Sequence, residues 1–463
     1  MVAPAAAVGI ALPGGGSARL VDLRGRSLLA LPPEIDGLAG EHAEVEGSAV
    51  SLVERTPANA ARLRELVPCL RPRPVGTESS FGFGDRLGNA TPGHVRALEA
   101  TGSSLRPILA QQSARELDRT GRSWTAVLDA ATWGALEAGW DRGYGADADH
   151  LRTQDEVGAA LAAGFTMFTL DPSADVDLEG PTCSAGDLAE KVKALPWERL
   201  EDDWASVRRR HASAVGEEEL ARAAATWGAA LACAAELARP LGGEAVDVEV
   251  SVDETPWPTL PAHARFLVAE LRRLDVPFTS LAPRLPGRWE KGVDLVVDAE
   301  AIEQTLEIHA TLAVEHGPYK LSIHSGSDKF SVYPVLAGAE LPLHVKTSGT
   351  SYLEALRVAA GADPALFRAV LEVGRAGFDQ ARGGYALGDA AGVPDQAGLA
   401  DDVLVTLLDD PGTRQGLHVT FGVVWGAEEL RRSLLALLEV ESDTYRNALA
   451  AHLARHLCLL DGA

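Results

Sequence analysis

Cysteine is scarce in this chain of 463 residues. The four cysteines, Cys69, Cys183, Cys233 and Cys458, are widely separated and form no CxxC pair. A disulfide framework or a cysteine-ligated zinc site needs paired or closely spaced thiols, so the spacing argues against both. We expect the four side chains to act as small hydrophobic residues in a reducing compartment.

Positive charge is also scarce. The chain has 42 Lys and Arg residues against 66 Asp and Glu residues, a formal net charge of −24. Because phosphate backbones and anionic membrane surfaces repel such a protein, we expect neither nucleic acid nor membrane as a partner. No apolar run approaches the ~18 residues of a transmembrane helix, and the apolar N-terminus lacks a basic leader. These features predict a soluble, cytoplasmic protein.

Nucleotide-binding motifs are missing as well. The stretch GFGDRLG at 82–88 has its third glycine one position too late for the dinucleotide fingerprint GxGxxG. The stretch PGGGS at 13–17 lacks the lysine and the spacing of a P-loop. We therefore expect no nucleotide cofactor.

Apolar residues, in contrast, are plentiful, at 46% of the chain. Between residues 79 and 361, eight short strand-like segments alternate with helical patterns, in which apolar residues recur at every third and fourth position. The segments are SSFGFGDR, LRPILAQQ, GYGADADHL, FTMFTLDP, AVDVEVSVDE, VPFTSLAPR, YKLSIHSGSD and PLHVKTSG. This alternation predicts an α/β fold, a closed parallel (β/α)8 or TIM barrel.

Three further regions accompany the predicted barrel. Residues 1–78 contain two strand-like segments, ARLVDLRG and AVSLVER, and a helical stretch, and predict a small α+β lead-in. Residues 181–243 form a helical insertion too long for an ordinary barrel connection, which predicts a cap or a subunit contact in a homo-oligomer. Residues 362–463 predict a C-terminal helical extension with one strand-like segment, GLHVTFGVV at 416–424, and a final amphipathic helix.

Polar side chains gather at the ends of the predicted strands. The set comprises Asp85, Gln111, Gln112, Asp147, Asp149, His150, Asp171, Asp253, Glu254, Arg284, His324, Asp328, His344 and Lys346. The C-terminal ends of the strands carry the chemistry in TIM barrels. Alternation along KLSIHS and LHVKT directs His324, His344 and Lys346 toward the barrel interior. The sequence therefore predicts a polar, charged barrel mouth.

A divalent metal ion is one explanation for this set. Buried charges are costly unless they are paired or coordinate a metal. Imidazole suits zinc, iron or nickel, and carboxylates admit manganese. Each single histidine has an ordinary alternative as a hydrogen-bonded structural imidazole. Because no compact local ligand motif occurs, the metal hypothesis depends on the predicted barrel.

Several longer strings carry a family resemblance. They are FGFGDRLGNATPGHVRAL, ADADHLRT, GFTMFTLDPS, SVDET, LAPR, EKGVD, YKLSIHSGSDKFSVYP and HVKTSGTSYLEALRV. In these strings the sequence resembles the bacterial tagaturonate epimerases, also called tagaturonate/fructuronate epimerases. The resemblance implies a metal-dependent TIM-barrel isomerase of hexuronate catabolism. Its expected reaction interconverts D-tagaturonate and D-fructuronate, or a closely related ulosonate or ketohexose.

The implied reaction sets a chemical requirement. The two hexulosonates differ at a carbinol carbon that lies β to the ketone, so its C–H bond is not acidic and enolisation alone does not invert it. Retro-aldol cleavage and re-addition is the expected route. It needs one acid/base group for each face of the substrate, and our candidates are Asp149 and Glu254.

The resemblance also leads to a binding hypothesis. We expect a divalent cation (Mn, Zn, Fe or Ni) as Lewis acid, with His150, His324 and His344 as ligands and Glu249 or Asp253 as replacements. Arg284 and Lys346 are alternative partners for the substrate carboxylate. The serine, aspartate and lysine side chains of SIHSGSDKF are expected to meet the sugar acid as well.

Two other classes of function remain open from the sequence. A metal-dependent aldolase or ketose isomerase acting on a sugar acid would use a similar barrel mouth. A sugar-acid-binding protein without catalysis is the other alternative. An aldehyde trapped during turnover would indicate an aldolase, and a tightly held metal ion would argue against a pure binding protein.

Overall fold

The computed structural model describes residues 9–462 except 13–14, 24–25, 34, 36, 39, 46, 296–297 and 384–386. An antiparallel sheet comes first along the chain, a closed parallel barrel follows, and a group of helices completes the chain. Among the described residues, no helix combines the length and the apolar character needed to cross a membrane.

The N-terminal sheet has five strands in the order β1-β2-β3-β5-β4. The strands are β1 Ile10–Ala11, β2 Ser17–Leu23, β3 Arg26–Leu31, β4 Glu41–Val45 and β5 Ser48–Val53. Helix α1, Pro57–Leu66, follows them. The predicted α+β lead-in is confirmed, although β1, β3 and β4 were not predicted. The end of the segment ARLVDLRG lies outside the described residues.

The barrel contains all eight predicted strands. They are β6 Ser80–Gly84, β7 Arg106–Ser113, β8 Gly145–Leu151, β9 Met167–Leu170, β10 Asp247–Val252, β11 Ser280–Pro283, β12 Lys320–Ile323 and β13 Leu343–Thr347. Each strand pairs in parallel with the next, and β13 pairs with β6, which closes the ring. The predicted TIM barrel is confirmed.

Helices alternate with these strands and also form the insertion. They are α2 Thr91–Thr101, α3 Ala114–Thr120, α4 Trp124–Ala138, α5 Gln154–Ala163, α6 Ala185–Lys193, α7 Trp204–His211, α8 Glu217–Ala238, α9 Pro261–Arg273, α10 Ala299–His316, α11 Tyr333–Ala337 and α12 Thr350–Ala362. Helices α6, α7 and α8 make up the helical insertion between β9 and β10. The division of the chain at residues 78/79 and 361/362 stays a prediction.

Local signals explain why the helices begin and end where they do. Helix α5 starts with a capping box, in which the Thr153 hydroxyl accepts from the backbone N–H of Glu156 and the Glu156 carboxylate accepts from that of Thr153. Gly164 ends the helix in the left-handed region, at φ 97°. The helix therefore leads directly into β9, whose C-terminal end borders the barrel mouth.

The C-terminal helices are α13 Pro364–Arg382, α14 Asp401–Thr406, α15 Pro411–Val419, α16 Phe421–Gly426, α17 Glu428–Val440 and α18 Ser442–Leu460. The prediction of a strand at 416–424 was wrong, because this segment forms the end of α15 and the start of α16. Asp410 caps α15 and Pro411 occupies its first turn, which starts a helix upstream of the strand-like residues. The final amphipathic helix, α18, is confirmed.

Alternation along the barrel strands separates two environments. Val248, Val250 and Val252 lie buried in the hydrophobic core. Glu249, between them, contacts Lys346 inside the barrel, with 2.9 Å between the carboxylate and the ammonium group. The interior is therefore polar and ion-paired, and the chemistry-bearing side chains face one another across it.

Candidate active site at the barrel mouth

A first histidine, His324, directly follows β12 and is tied to a buried carboxylate. Its Nε2 donates to Glu249 Oε1 at 2.7 Å, and the Glu249 side chain is fully buried. Its Nδ1 lies 3.2 Å from Asp253 Oδ1 but is poorly aligned for a hydrogen bond. Burial opposes a positive charge on His324, yet Asp253 and Glu249 outweigh it and raise the pKa to about 10. The space beside Nδ1 therefore favours a cation, whether a proton or a metal ion.

A second histidine, His150, is aimed by an irregularity in β8. The register between β8 and β9 shifts between Ala148 and Leu151, and His150 has a φ of 56°. Such irregularities redirect side chains and concentrate next to active sites. Nδ1 of His150 lies 3.1 Å from Asp171 Oδ2, so Nε2 is the nitrogen left to face the mouth. The ring centroids of His150 and His324 lie 5.0 Å apart.

His150 and His324 thus share one arrangement. In each, one ring nitrogen is hydrogen-bonded to a buried carboxylate, that of Asp171 or Glu249. The other ring nitrogen faces a second carboxylate, that of Asp149 or Asp253. The distance from His150 Nε2 to Asp149 Oδ1 is 3.9 Å. A carboxylate bonded to the far nitrogen orients the ring and raises its basicity, which is common among metal-ligating histidines.

Below this pair, Lys346 neutralises a cluster of three carboxylates. Its ammonium group lies 2.8 Å from Asp147, 2.8 Å from Asp149 and 2.9 Å from Glu249. Burial opposes the charge on Lys346, but the three carboxylates dominate and hold its pKa well above the usual value. The cation is therefore committed to the protein's own acidic groups.

The two aspartates beside Lys346 differ in the direction in which their pKa values are shifted. Burial raises the pKa of Asp147 to about 6, because Lys346 compensates only part of the desolvation. Burial also opposes the charge on Asp149, but Lys346, His150 and His324 outweigh it and lower the pKa to about 2. Asp149, which lies nearer the mouth, is thus an ionised proton acceptor at neutral pH.

The third predicted histidine, His344, lies deeper. It pairs in register with Ser322, two residues before His324, which separates the two histidines by about 7 Å along the strands. His344 Nδ1 lies 2.9 Å from Ser80 Oγ, and its buried Nε2 has no hydrogen-bond partner among the described residues. Burial holds its pKa well below the usual value, so the ring is neutral. The structure therefore separates His344 from the other two histidines.

Glu254, the second acid/base candidate, lies at the rim. Its side chain is 39% exposed and contacts Arg152 at 3.1 Å and Arg115 at 3.6 Å. Potential ligand atoms of His150, Asp171 and Glu254 lie within 4.8 Å of one another. Arg152 donates hydrogen bonds to both carboxylates of that group, Asp171 and Glu254. We therefore interpret the group as an ion-pair network that borders the mouth.

Arg284 differs from Lys346 in having no carboxylate partner among the described residues. The side chain is half-buried and lines a small cavity with Asp253, His324 and Ser325. Its backbone N–H donates to Thr259 Oγ1, which anchors the end of β11. Of the two predicted partners for a substrate carboxylate, Arg284 is the one with an uncommitted charge.

Two side chains of SIHSGSDKF turn away from the mouth. Asp328, with a φ of 62°, contacts Arg414 at 2.8 Å and His452 at 2.5 Å. The ammonium group of Lys329 donates to three backbone carbonyls, of Glu290, Val293 and Ser327. These residues fix the loops around the site, and the prediction that they meet the substrate does not agree with their positions.

Asp328, His452 and His456 form another group with ligand atoms within 4.8 Å. His456 Nε2 already accepts from the Asp328 backbone N–H at 3.0 Å, and Arg414 holds the carboxylate. We read this group as a structural connection between the β12 loop and the C-terminal helices. Sequence reasoning missed it because its members are far apart along the chain.

Comparison with known proteins agrees with a (β/α)8-barrel enzyme. The model of the tagaturonate epimerase family matches residues 33–460. A tagaturonate/fructuronate epimerase of Thermotoga maritima is 41% identical over 431 residues, which cover 90% of this chain and 88% of that protein. The chain belongs to the tagaturonate epimerase family and is an isomerase-class enzyme.

Solved structures support the same assignment. The native crystal structure of a fructuronate-tagaturonate epimerase from Cohnella laeviribosi is 32% identical with a TM-score of 0.87, covering 99% of this chain and 95% of that one. A glycerol complex of the same enzyme is 33% identical with a TM-score of 0.86, covering 96% and 94%. The family and fold implied by the sequence resemblance are confirmed.

Proposed function

We propose that this enzyme interconverts D-tagaturonate and D-fructuronate by retro-aldol cleavage and re-addition. The names of the relatives support the substrate pair. The observation that carries the chemistry is the pair His150 and His324, each tied to a buried carboxylate and each facing a further carboxylate at the mouth.

The residues at the mouth fit a divalent cation. His150 Nε2 and His324 Nδ1 are the nitrogens left over by the bonds to Asp171 and Glu249, and Asp253 lies beside His324. We assign these two nitrogens and Asp253 as ligands, with Asp253 replacing the deeper His344. Mn, Zn, Fe or Ni would suit this mixed donor set. Such an ion supplies Lewis-acid polarisation of the substrate oxygens.

The chain's own groups perform the proton transfers. Asp149 takes the proton of the carbinol hydroxyl, the adjacent carbon–carbon bond breaks, and its electrons form an enediolate while the carbinol carbon becomes an aldehyde. The aldehyde turns and the bond re-forms on its other face, which leaves a new alkoxide. Glu254 relays a proton from solvent to this alkoxide, and Asp149 releases its proton to solvent, so both groups return to their starting states. Arg284 holds the substrate carboxylate during this rotation, because its planar guanidinium group matches two oxygens.

Incubation with D-tagaturonate in deuterium oxide tests the proposal. We expect D-fructuronate to form without solvent deuterium at the inverted carbon, because the carbinol hydrogen stays on its carbon during retro-aldol cleavage. Nuclear magnetic resonance follows both the product and the label. Rapid incorporation at that carbon would contradict the mechanism, and accumulation of a trapped aldehyde would indicate an aldolase instead.

Metal removal provides a separate prediction. Chelation is expected to abolish activity, and addition of a divalent ion is expected to restore it. The substitution His324→Ala is expected to weaken metal affinity by about 10- to 100-fold or more. Metal analysis of the purified proteins and a turnover assay measure both effects. His316→Ala is the control, because His316 ends α10 on the outside of the barrel. Full activity after chelation, or a full metal complement in His324→Ala, would refute the assignment.

A further inference from the structure

A second cation, Lys291, lies beside the cavity that contains Arg284. Its ammonium group contacts the hydroxyl of Ser325, the residue after His324. Ser325 and Arg284 line the same cavity. Lys291 is half-buried and has no ion-pair partner within 4.0 Å in the described part of the chain. Acidic residues outnumber basic ones in this protein, which has a net charge of −24, so a cation without an ion-pair partner next to the active site is available for an anionic ligand.

The loop that carries Lys291 is held in place from both sides. The Lys329 ammonium group donates to the backbone carbonyls of Glu290 at 2.8 Å and Val293 at 2.6 Å, which bracket Lys291. The Glu290 side chain accepts from Gln415 Nε2 at 2.8 Å. The position of Lys291 beside Ser325 is thus set by partly buried contacts that Lys329 and Gln415 make with its loop.

Other cations around the mouth are already neutralised. Arg115 and Arg152 contact Glu254, and Lys346 contacts three carboxylates. A substrate carboxylate next to Lys346 would add a fourth negative charge to that cluster. Beside Arg284 and Lys291, it would meet two cations that have no acidic partner within 4.0 Å among the described residues. Asp253, which lines the same cavity, is directed to His324.

We propose that Lys291, together with Arg284, recognises the carboxylate of the substrate and so determines specificity for sugar acids over neutral ketoses. The proposal rests on the proposed function for the identity of the sugar acid. The Lys291 ammonium group acts as a point charge with two N–H donors left beyond its bond to Ser325. Lys346 then serves as a positioning residue for the acidic cluster.

The test compares the dissociation constants of two ligands, D-tagaturonate and D-tagatose. D-tagaturonate has a carboxylate at the position where D-tagatose has a hydroxymethyl group. We expect the wild-type enzyme to prefer the acid, and Lys291→Met to reduce this preference about 10- to 100-fold, the range for losing one charged hydrogen bond. Affinity for D-tagatose should stay unchanged. Calorimetry measures both constants.

Two further variants make the result specific. Lys291→Arg keeps the charge and should retain most of the preference. Lys193→Met, with a side chain that is 78% exposed on α6, should behave as the wild type. An unchanged preference in Lys291→Met, or an equal loss for both ligands, would overturn the proposal. A wild-type enzyme that binds the acid preferentially but does not epimerise it would instead refute the proposed function alone.

Discussion

Asp149→Asn is expected to lower kcat by about 10²- to 10⁴-fold, the loss typical of a positioned acid or base. The carboxylate is ionised at neutral pH, because Lys346, His150 and His324 outweigh burial and lower its pKa to about 2. The amide keeps the shape of the side chain but cannot accept the hydroxyl proton. Since Lys346 retains Asp147 and Glu249, the fold should survive.

The experiment measures steady-state turnover, metal content and thermal unfolding of the same preparations. Glu254→Gln should lower kcat by a factor in the same range, because Glu254 is assigned to the opposite face of the substrate. Asp141→Asn, at an exposed position after α4, is the matched control. Near-normal rates in both Asp149→Asn and Glu254→Gln, with metal content intact, would remove the proposed acid/base roles and leave the fold unaffected.

Lys346→Met is expected to destabilise the protein by about 3–5 kcal/mol at neutral pH, because it leaves buried carboxylates without their cation. Asp147 and Glu249 are fully buried, so water cannot replace the lost charge. Lys193→Met is the control for loss of a lysine charge. The midpoint of thermal unfolding, measured beside the wild type, should fall by several degrees.

The destabilisation should diminish in acid. Burial, only partly offset by Lys346, already raises the pKa of Asp147 to about 6, above its ordinary value, so the folded state binds this proton more readily than the unfolded state does. Without Lys346 the preference grows, and the folded state loses stability as pH rises through that pKa. The difference from wild type should therefore narrow between pH 7 and pH 5. A variant as stable as wild type at both values would contradict this interpretation of Lys346.

Much of the barrel was predictable from local patterns. Alternating residues along AVDVEVSVDE place Val248 and Val250 on one side and Glu249 on the other, and the structure confirms both environments. Period-two alternation is a property of the extended backbone itself, so it is visible before any partner strand is known. The capping box at Thr153 and Gly164 likewise mark the ends of α5 locally.

The roles within the candidate site were less predictable. Sequence reasoning placed His150, His324 and His344 in one group, but the register of β12 and β13 puts His344 one layer of side chains deeper. Lys291 was missed because it lies in a loop without periodic pattern, where nothing local shows which way a side chain points. The strand-like segment at 416–424 became helical because a cap and a proline upstream start α15.

The sequence by itself determined the order of the barrel strands, the acidic character and the family. Strand order follows from patterns among neighbouring residues, the charge from composition, and the family from contiguous strings, and none of these needs a tertiary contact. Tertiary structure alone decided which charges are committed and which are available. Lys346 meets Asp149, 197 residues away, and Asp328 meets Arg414, 86 residues away. Such pairs form only when the barrel closes and the C-terminal helices pack against it. Pairing across these distances commits Lys346 and Asp328 to groups of the protein itself. Within the part of the chain that the structure describes, it leaves Arg284 and Lys291 without a carboxylate partner.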